Sequence, residues 1–225
     1  GKQVLYDFNL KVRAGQKVAL VGSTGSGKTT VVNLLMRFYD IDNGSITIDG
    51  VNIKDIDCEN LRKNTAIVLQ DTVLFADTVK NNLLYSRQDA SDSEITDAAS
   101  KANCHNMIMH LPEGYNTTLS KDGQNLSQGQ RQLLSIARAF VASPKILILD
   151  EATSSIDAKT EKELQKGLHE LLKGRTSFII AHRLSTIKNC DKIMFISNKG
   201  ITEAGTHEEL MAKKGDYYKL CMAQK

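Results

Sequence analysis

Eight consecutive residues, Gly22-Ser23-Thr24-Gly25-Ser26-Gly27-Lys28-Thr29, carry the densest chemistry in the chain. They stand between the apolar run Val18-Ala19-Leu20-Val21 and the amphipathic stretch Thr30 to Phe38. That order reads as strand, loop and helix, the context a phosphate-binding loop requires. Glycines at 22, 25 and 27 let the backbone turn its N–H groups inward, because a residue without a Cβ reaches positive φ and leaves room for an oxyanion. A helix beginning near Lys28 adds its positive dipole end to the same cavity. Lys28 brings a full cation to the β- and γ-phosphates, and the Thr29 hydroxyl is placed to ligate Mg²⁺.

Further positions could serve the same chemistry. Thr65-Ala66-Ile67-Val68-Leu69 is an apolar strand that stops at Gln70. Ligands of open α/β sheets sit at the carboxyl ends of strands, so Gln70 either reaches a bound phosphate or its metal, or caps the strand toward solvent. Lys145-Ile146-Leu147-Ile148-Leu149 ends in two carboxylates, Asp150 and Glu151. Alone this is as well read as a strand-to-helix turn; behind a phosphate loop, one acid holds Mg²⁺ through water and the other orients or deprotonates an attacking water. Asn125-Leu126-Ser127-Gln128-Gly129-Gln130 opens a helix with Ser127 as N-cap and Gly129 leaving the first turn open to a close ligand, although such a start is often only a helix start. His182 follows the strand Arg175 to Ala181, at the ligand end of the sheet or as a satisfied surface histidine.

The elements that must position these groups follow from pattern. Val4 to Val12 reads as an antiparallel strand, turned by Arg13-Ala14-Gly15-Gln16 into a core strand Lys17 to Val21. Val31, Leu35 and Phe38 recur at helical spacing and form one apolar stripe. Ser45 to Asp49 is a strand, and Lys192 to Ser197 with Ile201 to Ala204 a hairpin turned by Asn198-Lys199-Gly200. Helices are expected from Asp92 to Ala102, Asn106 to Leu111, after Ser127, Glu161 to Lys173 and His207 to Lys213. Residues 71–135 hold no strand pattern and read as an inserted helical subdomain, with core and β subdomain at 1–70 and 136–225.

With 225 residues, 41% hydrophobic and 24% charged, the chain can bury a sizeable core. A net charge of +3 gives no basis for a nucleic-acid partner. Four scattered cysteines suggest neither a disulfide framework nor a zinc site. No apolar run approaches the ~18 residues of a membrane span.

Together these positions resemble the nucleotide-binding domain of an ATP-binding cassette (ABC) ATPase across nearly the whole chain. The Walker A loop is Gly22 to Thr29, followed by Thr30. The Q-loop glutamine is Gln70, and the signature is Leu126-Ser127-Gln128-Gly129-Gln130. Walker B is Ile146 to Asp150 followed by Glu151, the D-loop is Ser154-Ser155-Ile156-Asp157, and the switch histidine is His182. Arg37-Phe38-Tyr39-Asp40, Ile46-Thr47-Ile48-Asp49-Gly50 and Ala181-His182-Arg183-Leu184-Ser185-Thr186 are similar to exporter cassettes in particular.

The resemblance implies an α/β fold: a P-loop NTPase (RecA-like) core with an antiparallel β subdomain and an inserted α-helical subdomain. It implies a motor domain that hydrolyses ATP with Mg²⁺ at the cytoplasmic face of the cell membrane. Its partners would be a transmembrane domain and a second cassette, joined head to tail as homodimer or heterodimer. Lys28 and Ser23 would hold phosphates; Thr29, Gln70 and Asp150 would serve the metal; Glu151 would be general base. His182 would bridge the γ-phosphate and the partner's D-loop, and Ser127, Gln128, Gly129 and Gln130 would close over the nucleotide of the other subunit. A lone monomer would hydrolyse poorly. The alternative is a nucleotide-gated dimerisation module of low turnover paired with a different cassette. A chromosome-organising ATPase would need a coiled-coil insertion, and no long heptad run lies between Lys28 and Ser127.

Three departures from the family pattern stand out. Gln128 replaces the commoner glycine, Thr118 stands where exporters carry an acid, and Tyr6 lies too far along to match the adenine-stacking aromatic. That aromatic normally precedes Val4-Leu5, so weakened base recognition is expected, as is an excised domain.

Overall fold

The computed structural model describes residues 5–69, 71–150, 156–181 and 183–223. In chain order its elements are β1 (Lys17–Val21), α1 (Lys28–Leu35), β2 (Thr47–Ile48), β3 (Val51–Asn52), α2 (Cys58–Lys63) and β4 (Thr65–Val68). There follow α3 (Val79–Leu84), α4 (Asp92–Lys101), α5 (His105–Met109), α6 (Gln128–Ala142), β5 (Ile146–Asp150) and α7 (Ala158–Leu172). The chain continues through β6 (Thr176–Ile180), α8 (Leu184–Lys188), β7 (Lys192–Ser197), β8 (Gly200–Gly205), α9 (His207–Lys213) and α10 (Asp216–Ala223). It divides into two compact units, 1–65 with 146–151 and 175–225, and 66–145 with 152–174.

The first unit is built on a mixed sheet in which β5, β6, β1 and β7 run parallel in that order and β8 closes the row antiparallel to β7. Uninterrupted apolar runs are what a parallel strand covered on both faces needs. Val18, Ala19 and Leu20 of β1, and Leu147 and Ile148 of β5, are accordingly sealed from solvent. Central β1 fixes its register on both sides, Val18 opposite Phe178 of β6 and Lys192 of β7. The tight reversal between β7 and β8 uses Asn198 and Lys199, both at positive φ as a type I′ turn demands. Asp49 and Gly50 do the same between β2 and β3, an antiparallel pair.

Two expectations fail in this unit. Residues 5–16 form no strand: Asp7 turns at φ +39, and Tyr6 N–H donates to the Lys199 carbonyl at 2.8 Å outside any ladder. The apolar stripe of α1 does not extend to Phe38. The helix stops at Leu35 and Arg37 takes φ +52, so Phe38 emerges half exposed beneath the Arg62 guanidinium. Val31, Val32 and Met36 are buried instead.

The second unit contains the stretch 71–135. Its longest helices are α6 and α7, and α6 supplies the densest buried face: Leu133, Leu134, Ile136, Ala137, Ala139 and Val141. Ser91 and Glu94 close the start of α4 with a reciprocal capping box. Asn82 of α3 is fully buried and satisfied, its amide bonding the Phe75 carbonyl and the Thr78 carbonyl at 3.0 Å each. No described helix is long and apolar enough to cross a membrane.

Candidate functional site

The loop 22–29 starts where β1 ends, and Gly22 makes that departure possible. It sits at φ +151, and a Cβ there would overlap the Ile196 carbonyl oxygen of β7. Ser26 N–H bonds the Ser23 carbonyl at 3.2 Å, and Gly27 at φ +110 delivers the chain into α1. No side chain caps this helix, and its first turn carries no acidic residue. Its N-terminal N–H groups therefore present positive potential that nothing in the helix itself neutralises. By contrast α4, α6 and α9 are each closed by a capping box.

Lys28 is buried, and its Nζ donates to the carbonyls of Gly22 and Ser23, each at 2.8 Å. The ammonium is thus folded back over the loop. Burial pushes its pKa below the ordinary lysine value, and the Asp150 charge pulls it partly back. Ser26 Oγ is buried with no hydrogen-bond partner, a state that costs free energy until a ligand satisfies it. Ser23, Thr24, Gly25 and Thr29 are exposed and Thr30 is half buried. A loop with an ammonium, an unpaired hydroxyl and open backbone donors can grip an oxyanion.

The donor set also suits Mg²⁺. Thr29 offers a hydroxyl and Asp150 a carboxylate at the C-terminal end of β5, both hard oxygen ligands. Among the described residues no group of three His, Cys, Asp or Glu could hold an ion by itself. That fits a cation completed by phosphate and water oxygens, as Mg²⁺ commonly is.

In the second unit Ser127 caps α6. Its Oγ accepts from Gln130 N–H at 3.2 Å, and Gln130 Oε1 accepts from Ser127 N–H at 2.9 Å. Ser127 is exposed, and its hydroxyl proton is still available to an acceptor. Gln128 is half buried. Gly129 is buried, and the place of a Cβ is filled by the Thr160 methyl. Asp157 caps α7 by accepting from Thr160 N–H at 2.9 Å, which holds its carboxyl below the usual range. Gln70, Glu151, Ser154, Ser155 and His182 lie outside the described residues.

Sequence reasoning missed two arginines that shape this unit. Arg131 donates to the Leu126 carbonyl at 2.7 Å and so fastens the loop before Ser127 to α6. Arg138 reaches the carbonyls of Asn82 at 2.9 Å and Val73 at 3.0 Å, and burial lowers its pKa. An arginine in a helix normally reads as solvated. The only available signal was its place among the apolar residues of α6.

The family model for ABC transporters matches residues 5–154. The chain belongs to the ABC transporter family. Among ABC relatives, an ATP-dependent lipid A-core flippase of Syntrophus aciditrophicus is 52% identical over 221 residues, 98% of this chain and 37% of that protein. A putative multidrug export ATP-binding/permease protein of Staphylococcus aureus is 51% identical over 98% of this chain and 38% of its own length. A bacterial Atm1-family ABC exporter solved with ATP bound superposes with a TM-score of 0.92 at 39% identity, covering 99% of this chain and 39% of that one. The chain thus spans between a third and two fifths of the relatives named here, and its α/β fold with a largely parallel sheet is the P-loop NTPase core of the ABC family, matched in that exporter.

Proposed function

We propose that the chain is the ATP-binding and ATP-hydrolysing motor of an ABC exporter, working at the cytoplasmic face of a membrane with a transmembrane partner. The observation that carries this is the loop 22–29: a buried Lys28 ammonium beside an uncapped helix start and an unpartnered Ser26 hydroxyl. Exporters and a flippase among the relatives support the rest.

Lys28 holds the β- and γ-phosphates and exchanges its bonds to the loop carbonyls for bonds to phosphate oxygens. The backbone N–H groups of 22–29 and of the first turn of α1 cradle the same charge. Thr29, Gln70 and Asp150 would hold Mg²⁺, which would polarise the phosphate oxygens and neutralise charge that develops on them. Glu151 orients and deprotonates the attacking water, and His182 steadies the γ-phosphate. A second copy closes the site head to tail, its turn at Ser127, Gln128, Gly129 and Gln130 donating to the nucleotide while its D-loop at Ser154, Ser155 and Asp157 borders the cleft. Closure expels water, which strengthens each of these interactions.

Single-turnover hydrolysis tests the reading. Glu151→Gln should slow it by ~10² or more, the scale of a lost general base, while ATP binding persists. Unchanged turnover would remove Glu151 from that role.

A further inference from the structure

The first turn of α6 obeys a packing constraint that phosphate recognition does not explain. Gly129 is the second residue of a capped helix, where alanine is the better helix former and needs no special φ. Its α-carbon nevertheless abuts α7. A Cβ at 129 would overlap Thr160 Cγ2 and lie 3.1 Å from Ile156 Cγ2 and 3.3 Å from Thr160 Cβ. Thr160 cannot easily yield. Its N–H is held by Asp157 Oδ1 at 2.9 Å, and as a β-branched residue in the first turn of α7 it has few χ1 rotamers to move into.

We propose that Thr160 is a positioning residue: its methyl, seated in the notch of Gly129, sets where the Ser127-Gly129 turn stands. The inference rests on the reading of that turn as the one that closes over a partner's nucleotide. It also links the turn mechanically to Ile156 and Asp157, because a shift of the start of α7 is felt by the first turn of α6 at this contact. The absence of a side chain at 129 is thereby a demand of helix packing, additional to any closeness to phosphate.

The test is rescue by a smaller neighbour, in the full-length protein. Gly129→Ala should lower kcat for ATP by ~10²-fold, the scale of an ångström-sized misplacement. Adding Thr160→Ser removes the methyl while keeping the hydroxyl and the backbone N–H that Asp157 holds, and should recover at least ~10-fold of that loss. Complete recovery is not expected, since Ile156 Cγ2 must still give way. Gly129→Ala with Thr160→Val, which keeps a methyl, should stay inactive. Should Gly129→Ala fail to fold, folding and turnover of the Ser double variant carry the same conclusion. A Ser double variant no better than Gly129→Ala overturns the inference and leaves the proposed function standing. Turnover indifferent to Ser127→Ala overturns the underlying reading of the turn instead.

Discussion

Gly22 and Gly25 lie in one loop and answer to different constraints. Gly25, at φ +79, has open space where a Cβ would go, whereas Gly22 at φ +151 would drive a Cβ into the Ile196 carbonyl. Gly25→Ala should therefore cost about 1–2 kcal/mol of apo stability, the strain of a left-handed residue. Gly22→Ala should cost about 3 kcal/mol or more, since a backbone atom cannot move aside. Chemical denaturation of the nucleotide-free variants checks the order; equal losses would contradict it. The spacing of glycines, Lys28 and Thr29 was legible from the sequence because phosphate binding demands those types at those intervals. Which glycine is held by packing was not, because Ile196 and Thr160 approach only through the folded chain.

At the scale of elements, most helix bounds were legible to within a residue or two, but α7 begins at Ala158 rather than Glu161 and α1 ends three residues short of Phe38. Ser91 with Glu94 announces its cap by residue type, while the end of α1 is set by a turn at Arg37, which sequence does not mark. The strand expected at 4–12 fails for a related reason: alternation permits a strand, but a turn at Asp7 removes the ladder. The cap on α4 makes a pH prediction. Ser91 N–H, then Arg87, then the Ser91 hydroxyl hold Glu94 down to about 2 from an ordinary 4.5. A folded pKa below the unfolded one adds stability that is complete above about 4.5 and fades as pH falls toward 2. Melting curves of wild type and Glu94→Gln should thus converge as pH falls from 6 toward 2.5; a gap constant with pH would refute the assignment. Arg138 makes a second prediction. Arg138→Lys should destabilise by about 2 kcal/mol or more, because an ammonium cannot reproduce the fork that serves Asn82 and Val73 together. Urea denaturation reads this directly, and a loss below about 0.5 kcal/mol, as at an ordinary surface site, would contradict it.

For the whole molecule, the ordered motifs gave the family and the α/β core from sequence alone, and the likeness to an exporter at TM-score 0.92 agrees. The chain spans 37–39% of the three proteins compared. Assembly is testable within the chain. With Mg-ATP, Glu151→Gln should sediment as a dimer and revert to monomer when Ser127→Arg is added, because the arginine would block the closing turn. Dimers that ignore both nucleotide and Ser127 would contradict head-to-tail closure, and persistent monomers would point to a different partner cassette. The central claim is that loop 22–29 grips a triphosphate, and equilibrium ATP binding to wild type and Lys28→Ala measures it most directly. The account predicts that affinity falls by ~10²-fold or more, as expected when a charge-assisted phosphate contact of about 3 kcal/mol is lost; equal affinity in the two proteins would contradict it.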